Sequence, residues 1–429
     1  MNSSLLSRRW GVGVGLAVLA AAVAAGCGGG GGGTKVGVTS KSILIGSHQP
    51  LTGPAAPGYS NISKGSNAYF KWVNAHGGVN GRKITYKVED DAYNPSQTTA
   101  KVRKLVLQDR VFALFDGLGT PTHLSVADFL NKEKVPDLFV ASGCNCWNQT
   151  SKWPQTSGWQ TEYTIEGKIL GQYINKKYKG QKVGYFFQND EFGQDGIKGL
   201  DQEVPKSQVV SRQHYTPTKT NVGAQIAALQ SSGAKVVGLY TIPAFTALAL
   251  LDAAKIGYHP TWVVSSVGSD PVTLTGLLKT FSKGKAGAAL LNGMVTGGYL
   301  APVTDTSNPW IKLFKRIHDK YIPKVPFDGN VVYGMGVAYS FVDLLKETGK
   351  NVTREKVIST LNAGKLHPGP GLVPLGYSKS SHLGYLGEEI LINRAGKLQK
   401  VGTPVTSSNT GPIKPYTKAQ APPSATGIP

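Results

Sequence analysis

From Ser42 onward the chain alternates short apolar runs with amphipathic stretches, and no other feature restricts its fold as tightly. Ile43 to Ser47 is an apolar run ending at Pro50-Leu51-Thr52-Gly53-Pro54, a loop by composition. Asn61 to Ala75 places Ile62, Ala68, Tyr69, Trp72 and Val73 on one side of a helix that stops at His76-Gly77-Gly78. The same reading predicts strands at 84–89, 111–115 and 137–141, with helices at 97–108 and 121–132. A break rich in Cys, Trp, Ser and Thr follows at 143–159. Strands at 182–188, 209–214, 236–241 and 261–265 then alternate with helices at 166–178, 193–203, 221–231 and 244–255. Such alternation implies parallel βαβ units with helices on both faces of a sheet. The chain is too long for one ordinary core and fits two α/β domains of about 150 to 200 residues. Residues 403–429 carry Pro404, Pro412, Pro415, Pro422 and Pro423 among many Ser and Thr; they lack the apolar content for a core and are expected to be disordered.

The first 33 residues stand apart from this pattern. Arg8 and Arg9 precede an apolar run from Trp10 to Ala25, then Ala24-Ala25-Gly26-Cys27 and the glycines Gly28 to Gly33. A short basic region, an apolar stretch and small residues before a cut compose an export signal, read as residues 1–26 and too short to span a bilayer comfortably. The segment around Cys27 resembles a bacterial lipobox, in which Cys27 is diacylated and anchors the protein outside the cytoplasm. Two acyl chains supply the two-signal anchoring that one cannot. Residues 27–40 then form a lipidated, glycine-rich tether. Gly11-Val12-Gly13-Val14-Gly15 looks like part of a dinucleotide fingerprint but lies inside the leader, so it implies no cofactor.

Lys and Arg number 46 against 25 Asp and Glu, a formal charge of +21 that loses only two on removal of Arg8 and Arg9. The charge is spread thinly, with no basic block longer than Lys176-Lys177, and reads as a surface property rather than a nucleic-acid site. Past Cys27 only Cys144 and Cys146 remain; such a pair closes a small disulfide in an oxidising compartment or stays as thiols. The histidines are scattered without ligand spacing, so no metal is expected. There is neither a G-x-S-x-G elbow nor a P-loop ending in Lys-Ser/Thr, and the chain is expected not to be an enzyme.

In open α/β sheets ligands bind beyond the carboxyl ends of the strands. Asp116-Gly117-Leu118-Gly119-Thr120-Pro121 is the best such loop: its glycines allow unusual backbone angles, and Thr120 either faces a ligand carboxylate or caps its own helix. Ala141-Ser142-Gly143 follows the next strand, and Asn189-Asp190-Glu191-Phe192-Gly193 does the same in the second half, where Phe192 is a lid or folds back on its helix. Trp147, Trp153 and Trp159 wall a ligand or pack in the hinge. His48, His76 and His123 read as surface or loop residues, and Glu89-Asp90-Asp91 as a solvated strand end.

Together these stretches bring a family into view. Leu51-Thr52-Gly53-Pro54, Asn74 to Ile84, Asp90-Asp91-Ala92-Tyr93-Asn94-Pro95 and Asp190-Glu191-Phe192-Gly193 occur in an order that resembles the leucine/isoleucine/valine-binding proteins, solute-binding proteins of ABC importers. The resemblance spans Val38 to Gly402. It implies a type I periplasmic-binding-protein clamshell, with lobe 1 at 41–162 plus 294–372 and lobe 2 at 163–293 plus 373–402. Each lobe is a mostly parallel sheet flanked by helices, and three segments cross between them. By the same resemblance Thr120 stands where a Ser bonds the ligand carboxylate, and Ala141 and Gly143 lie on the loop that grips the ligand backbone; Gly119 and Ser142 are read beside them as ligand residues from their place in the same loops. Phe192 replaces an aromatic from the second lobe, and Tyr59 lies near an aromatic of the first loop. Ser266 replaces an acid that pairs with the ligand ammonium, and Ile242 replaces a tyrosine. Tyr93 and Gly119 occupy the family's disulfide positions. The implied partners are a small organic solute (an amino acid, amide or aromatic or other carboxylic acid) and an ABC permease; a membrane signalling partner is the alternative. The protein is expected to be monomeric and to sit at the bacterial cell surface or in the periplasmic space.

Overall fold

The computed structural model describes residues 35–429; the segment read as an export leader and Cys27 fall outside the described residues. Five parallel strands, β1 (Ser42–Gln49), β2 (Lys83–Asp90), β3 (Ala113–Phe115), β4 (Asp137–Val140) and β5 (Thr156–Gly158), form one sheet in the order β2-β1-β3-β4-β5. The second sheet begins with β6 (Val183–Gln188), β7 (Val209–Tyr215), β8 (Val236–Tyr240), β9 (Thr261–Val264) and β10 (Val295–Gly298). It ends with the antiparallel strands β13 (Gly387–Arg394), β14 (Lys397–Thr406) and β15 (Lys414–Pro415), in the order β15-β14-β13-β10-β9-β8-β6-β7. A separate hairpin pairs β11 (Leu375–Ser378) with β12 (Ser381–Tyr385). The central strands β3, β4, β6 and β8 are buried along their whole length, as strands covered on both faces must be.

The first sheet is served by the kinked turn α1 (Ala56–Tyr59), α2 (Ile62–Ala75), α3 (Pro95–Arg103) and α4 (Thr120–Lys132). Next come α5 (Tyr163–Lys177), α6 (Glu191–Glu203), α7 (Gly223–Ser231), α8 (Pro243–Lys255) and α9 (Pro271–Phe281), then α10 (Pro309–Tyr321), α11 (Gly329–Thr348) and α12 (Arg354–Asn362). The element expected over 97–108 is α3 followed by a five-residue wider turn, Lys104–Gln108. Among the described residues no helix is long and apolar enough to cross a membrane.

The chain crosses between the sheets more often, and at other points, than expected. β10 pairs with β9 and β13, so residues 295–298 belong to the second sheet, not to the first lobe. The hairpin at 375–385 stays with the first lobe, where Tyr377 Oη donates to Gly158 O (2.6 Å) and His382 is bonded to Thr156 O (2.7 Å). The C-terminal segment is ordered, contrary to the expectation from its composition. Lys168 Nζ holds Ser407 Oγ and Ser408 O (3.0 and 2.8 Å), and β15 closes the second sheet. The chain then reaches back to the first lobe, where Trp310, Trp72 and Tyr69 donate to the carbonyls of Ala421 (2.7 Å), Thr426 (2.9 Å) and Gly427 (2.7 Å). A tail poor in apolar residues is thus fixed by donors from α2, α5 and α10, a source of order that its own composition does not reveal.

Two further expectations fail for a similar reason. His48 and His123 are fully buried and form a continuous chain of 2.8 Å contacts, Asp91–His48–His123–Asp137. The strand end at Asp91 is therefore not solvated; Thr98 Oγ1 also donates to its carboxylate at 2.8 Å. His76 is exposed and lies against the Trp72 ring. Cys144 and Cys146 are joined as a disulfide.

Candidate functional site

The carboxyl ends of both sheets face one cleft, which holds about 1190 Å³ including its open mouth. Of the residues singled out by sequence, Tyr59, Gly119, Thr120, Ala141, Phe192, Ile242 and Ser266 line it. Ser142 and Gly143 do not: the Ser142 hydroxyl is turned to Thr120 Oγ1 (2.7 Å) and Cys144 N (3.2 Å), and Gly143 is pressed against Thr161 and Tyr163.

The lobe 1 edge is set by backbone geometry. Gly119 has φ +102°, and a Cβ there would lie 2.4 Å from Thr122 Oγ1 and 2.5 Å from the Tyr93 ring, so only glycine fits. Gly119 is the residue before α4 and offers no side-chain cap, while Thr120 sits inside the first turn and directs its hydroxyl to Ser142 instead of its own helix. The amino end of α4, with its partial positive charge, therefore opens toward the cleft beside Thr120. Tyr163 stands next to this pair; burial holds its hydroxyl neutral well above the usual tyrosine range.

On the lobe 2 side, Asp190 caps α6 through Phe192 N (3.1 Å), and the Phe192 ring packs on Tyr163 at 4.7 Å between centroids. Ile242 precedes α8 and donates its N–H to Tyr215 Oη at 3.0 Å; Tyr215 donates to Gln188 Oε1, and Gln188 Nε2 reaches across to Tyr93 Oη at 3.3 Å. Ser266 presents its side to the cleft while its N–H donates to Glu166 Oε1 at 2.7 Å. Glu166 is fully buried on α5 and also accepts from Ser265 Oγ at 2.7 Å.

The two lobes touch across the cleft mouth. Tyr59 Oη donates to Val267 O (2.9 Å), Asn330 Nδ2 to Thr273 Oγ1 (3.1 Å), and Gly329 N to Asp270 Oδ1 (2.9 Å). Asp270 Oδ2 also accepts Thr273 N at 2.8 Å, so one carboxylate caps α9 and reaches the first turn of α11 on the opposite lobe. Asp328, which caps α11 through Val331 N, is pushed up to about 7 by burial and by the neighbouring charge of Asp270.

Sequence reading missed Tyr93, Tyr163, Tyr299 and Tyr333, which with Tyr59 line the cleft, and also missed Asp270. Tyr93 was within reach, because it lies in the quoted Asp90 to Pro95 stretch; the others carry no local signal. The three tryptophans are absent from the lining. Trp147 and Trp153 pack with Cys144, Cys146, Ala127 and Val140, and Trp159 fills the hinge among Tyr299, Tyr333 and Tyr385.

Two α/β lobes closing on a cleft between strand ends define a clamshell binding protein rather than a single-sheet nucleotide fold. Residues 42–384 match the sequence profile of the periplasmic binding proteins, and the chain belongs to that family, whose members bind solutes. Leu/Ile/Val-binding protein homolog 3 of Brucella melitensis is 26% identical over 207 residues, which are 46% of this chain and 53% of that protein. The chain thus spans about half the length of the curated relatives it matches. A branched chain amino acid ABC transporter protein from Thermus thermophilus with bound valine superposes with a TM-score of 0.75 at 20% identity, over 87% of this chain and 98% of that one. A fatty acid ABC transporter substrate-binding protein from Thermomonospora curvata superposes with 0.74 at 23% identity, over 89% and 98%. These solved structures establish the type I clamshell fold.

Proposed function

We propose that this chain is the extracytoplasmic substrate-binding lipoprotein of an ABC importer, capturing a small organic solute between its lobes. The observation that carries this reading is a buried, mostly apolar cleft whose mouth is bridged by bonds between the two lobes. Open and closed forms of such a cleft differ in how much of the solute they bury, so the solute selects closure. The carboxylate end of the solute lies at the amino end of α4 against Thr120, whose hydroxyl is held from behind by Ser142. Tyr59, Phe192, Ile242 and Ser266 close around the rest. Residues 1–26 are the export leader, Cys27 carries the lipid anchor, and a permease reads the closed surface. Thermal-shift screening of a soluble form from Thr34 onward against amino acids, amides and carboxylic acids tests this. A saturable rise in melting temperature with one class of solute is expected, and a full panel that leaves it unchanged would contradict the reading.

A further inference from the structure

The acids around the cleft distinguish one class of solute from another. Asp270 is the single charged residue lining the cleft among the described residues, and both of its oxygens are engaged, one by Thr273 N and the other by Gly329 N. Glu166 stands behind Ser266, fully buried and bonded to Ser265 Oγ and Ser266 N, so the loop backbone separates it from the cleft. Glu388 lies behind Gly297, which does line the cleft, and neither of its oxygens has a partner in the structure. Burial, with the two acids acting on one another, pushes Glu388 well above the usual carboxylate range. An unpaired buried carboxylate is disfavoured. The remaining lining is hydrocarbon, aryl ring and hydroxyl, with the carboxamides of Gln160 and Asn330, and Ile62, Leu118, Ile242, Val267, Val303 and Val332 form much of the wall.

An ammonium shut into this space would lose its hydration and find one carboxylate on the lining, Asp270, whose oxygens already hold Thr273 N and Gly329 N, a cost the surrounding polar groups offset only in part. A carboxylate, by contrast, has the uncapped amino end of α4 and the Thr120 hydroxyl. We infer that the solute is a small apolar monocarboxylate without an ammonium group, an alkanoate or aryl-alkanoate. This rests on the solute-binding reading above and narrows it: the carboxylate lies at α4, and the hydrocarbon body points toward Ser266 and Gly297.

The test compares acids that differ only in the amino group: 4-methylpentanoate against leucine, hexanoate against norleucine, and phenylacetate against phenylglycine, each by calorimetry with the soluble chain from Thr34 onward. At least one deaminated acid is expected to bind at least 100-fold more tightly than its amino counterpart. Amino acids binding within tenfold of their partners, or better, would overturn the inference while leaving the solute-binding reading intact. Failure of all six to bind at millimolar concentration would also overturn it, whereas the solute-binding reading falls only if the wider panel fails as well. Ser266→Asp gives a second measurement, because it places a carboxylate on the cleft side of Glu166. It is expected to narrow the leucine to 4-methylpentanoate gap at least tenfold, and an unchanged gap in a folded variant would count against the assignment.

Discussion

Replacing Asp270 by Asn separates the two jobs of one side chain. Asn is as good a helix cap as Asp, so its single acceptor oxygen keeps Thr273 N and the start of α9. The amide nitrogen then faces Gly329 N across the cleft, donor against donor, and the bond to the opposite lobe is lost. A hydrogen bond to a charged acceptor contributes about 1.5 to 3 kcal/mol. Removing the charge also relieves Asp328, which offsets part of that loss and leaves about 1 to 2 kcal/mol on the closed form. Because only the closed form makes this bond, the loss falls on the closure equilibrium, and the apparent Kd for the bound solute rises roughly 5-fold to 30-fold. Most of the change is expected in the dissociation rate, with the melting temperature of the solute-free protein nearly unchanged. Calorimetry with stopped-flow fluorescence reads both. An unchanged Kd, or a large loss of melting temperature without solute, would refute the division of labour.

Other outcomes follow from the same geometry. Asp328 has its pKa raised to about 7 in the closed form, so its favourable contribution is complete below the ordinary carboxylate range and fades as pH rises through about 7. Solute affinity should therefore fall as pH rises from about 4 to about 7, level off above that, and fall less in Asp270→Asn; a flat profile in the unmodified protein would exclude this. Thr120→Val is expected to weaken a carboxylate solute by about 1.5 to 3 kcal/mol, roughly 10-fold to 150-fold by calorimetry, and equal affinities would show that Thr120 serves only its contact with Ser142. Truncation after Pro415 removes the carbonyl partners of Trp310, Trp72 and Tyr69, at about 0.5 to 1.5 kcal/mol each. Calorimetric melting should drop by several degrees, and no change would mean that the tail is an ornament of the surface. Cys27→Ser should leave folding intact and release the protein from membranes on fractionation; a variant that still sediments would require another anchor.

The parts of the molecule legible in its sequence are those whose order is local. The strands at 43–47 and 182–188 and the helices at 61–75 and 244–255 announce themselves because each buries its own apolar pattern, and the structure places their ends within two residues. The loop at Asp116 to Pro121 was legible too, since a glycine at φ +102° ahead of a threonine and a proline leaves a recognisable mark. What stayed hidden depends on partners remote in the chain. His48, His123, Asp91 and Asp137 read as ordinary polar residues until the strands carrying them are laid side by side. Asp270 is a plain helix cap until α11 approaches from the other lobe. The tail from 403 reads as a disordered segment because the side chains that hold it belong to α2, α5 and α10.

The central claim is that solute occupancy closes the two lobes on one another. Spin labels at Leu107→Cys and Phe281→Cys, both exposed and on opposite lobes, report the distance between them in the soluble form, whose native cysteines are joined in the Cys144–Cys146 disulfide. Titration with the tightest-binding carboxylate is expected to collapse a broad distance distribution into one short distance, saturating at one solute per chain. Binding confirmed by calorimetry with no change in that distribution would contradict the account.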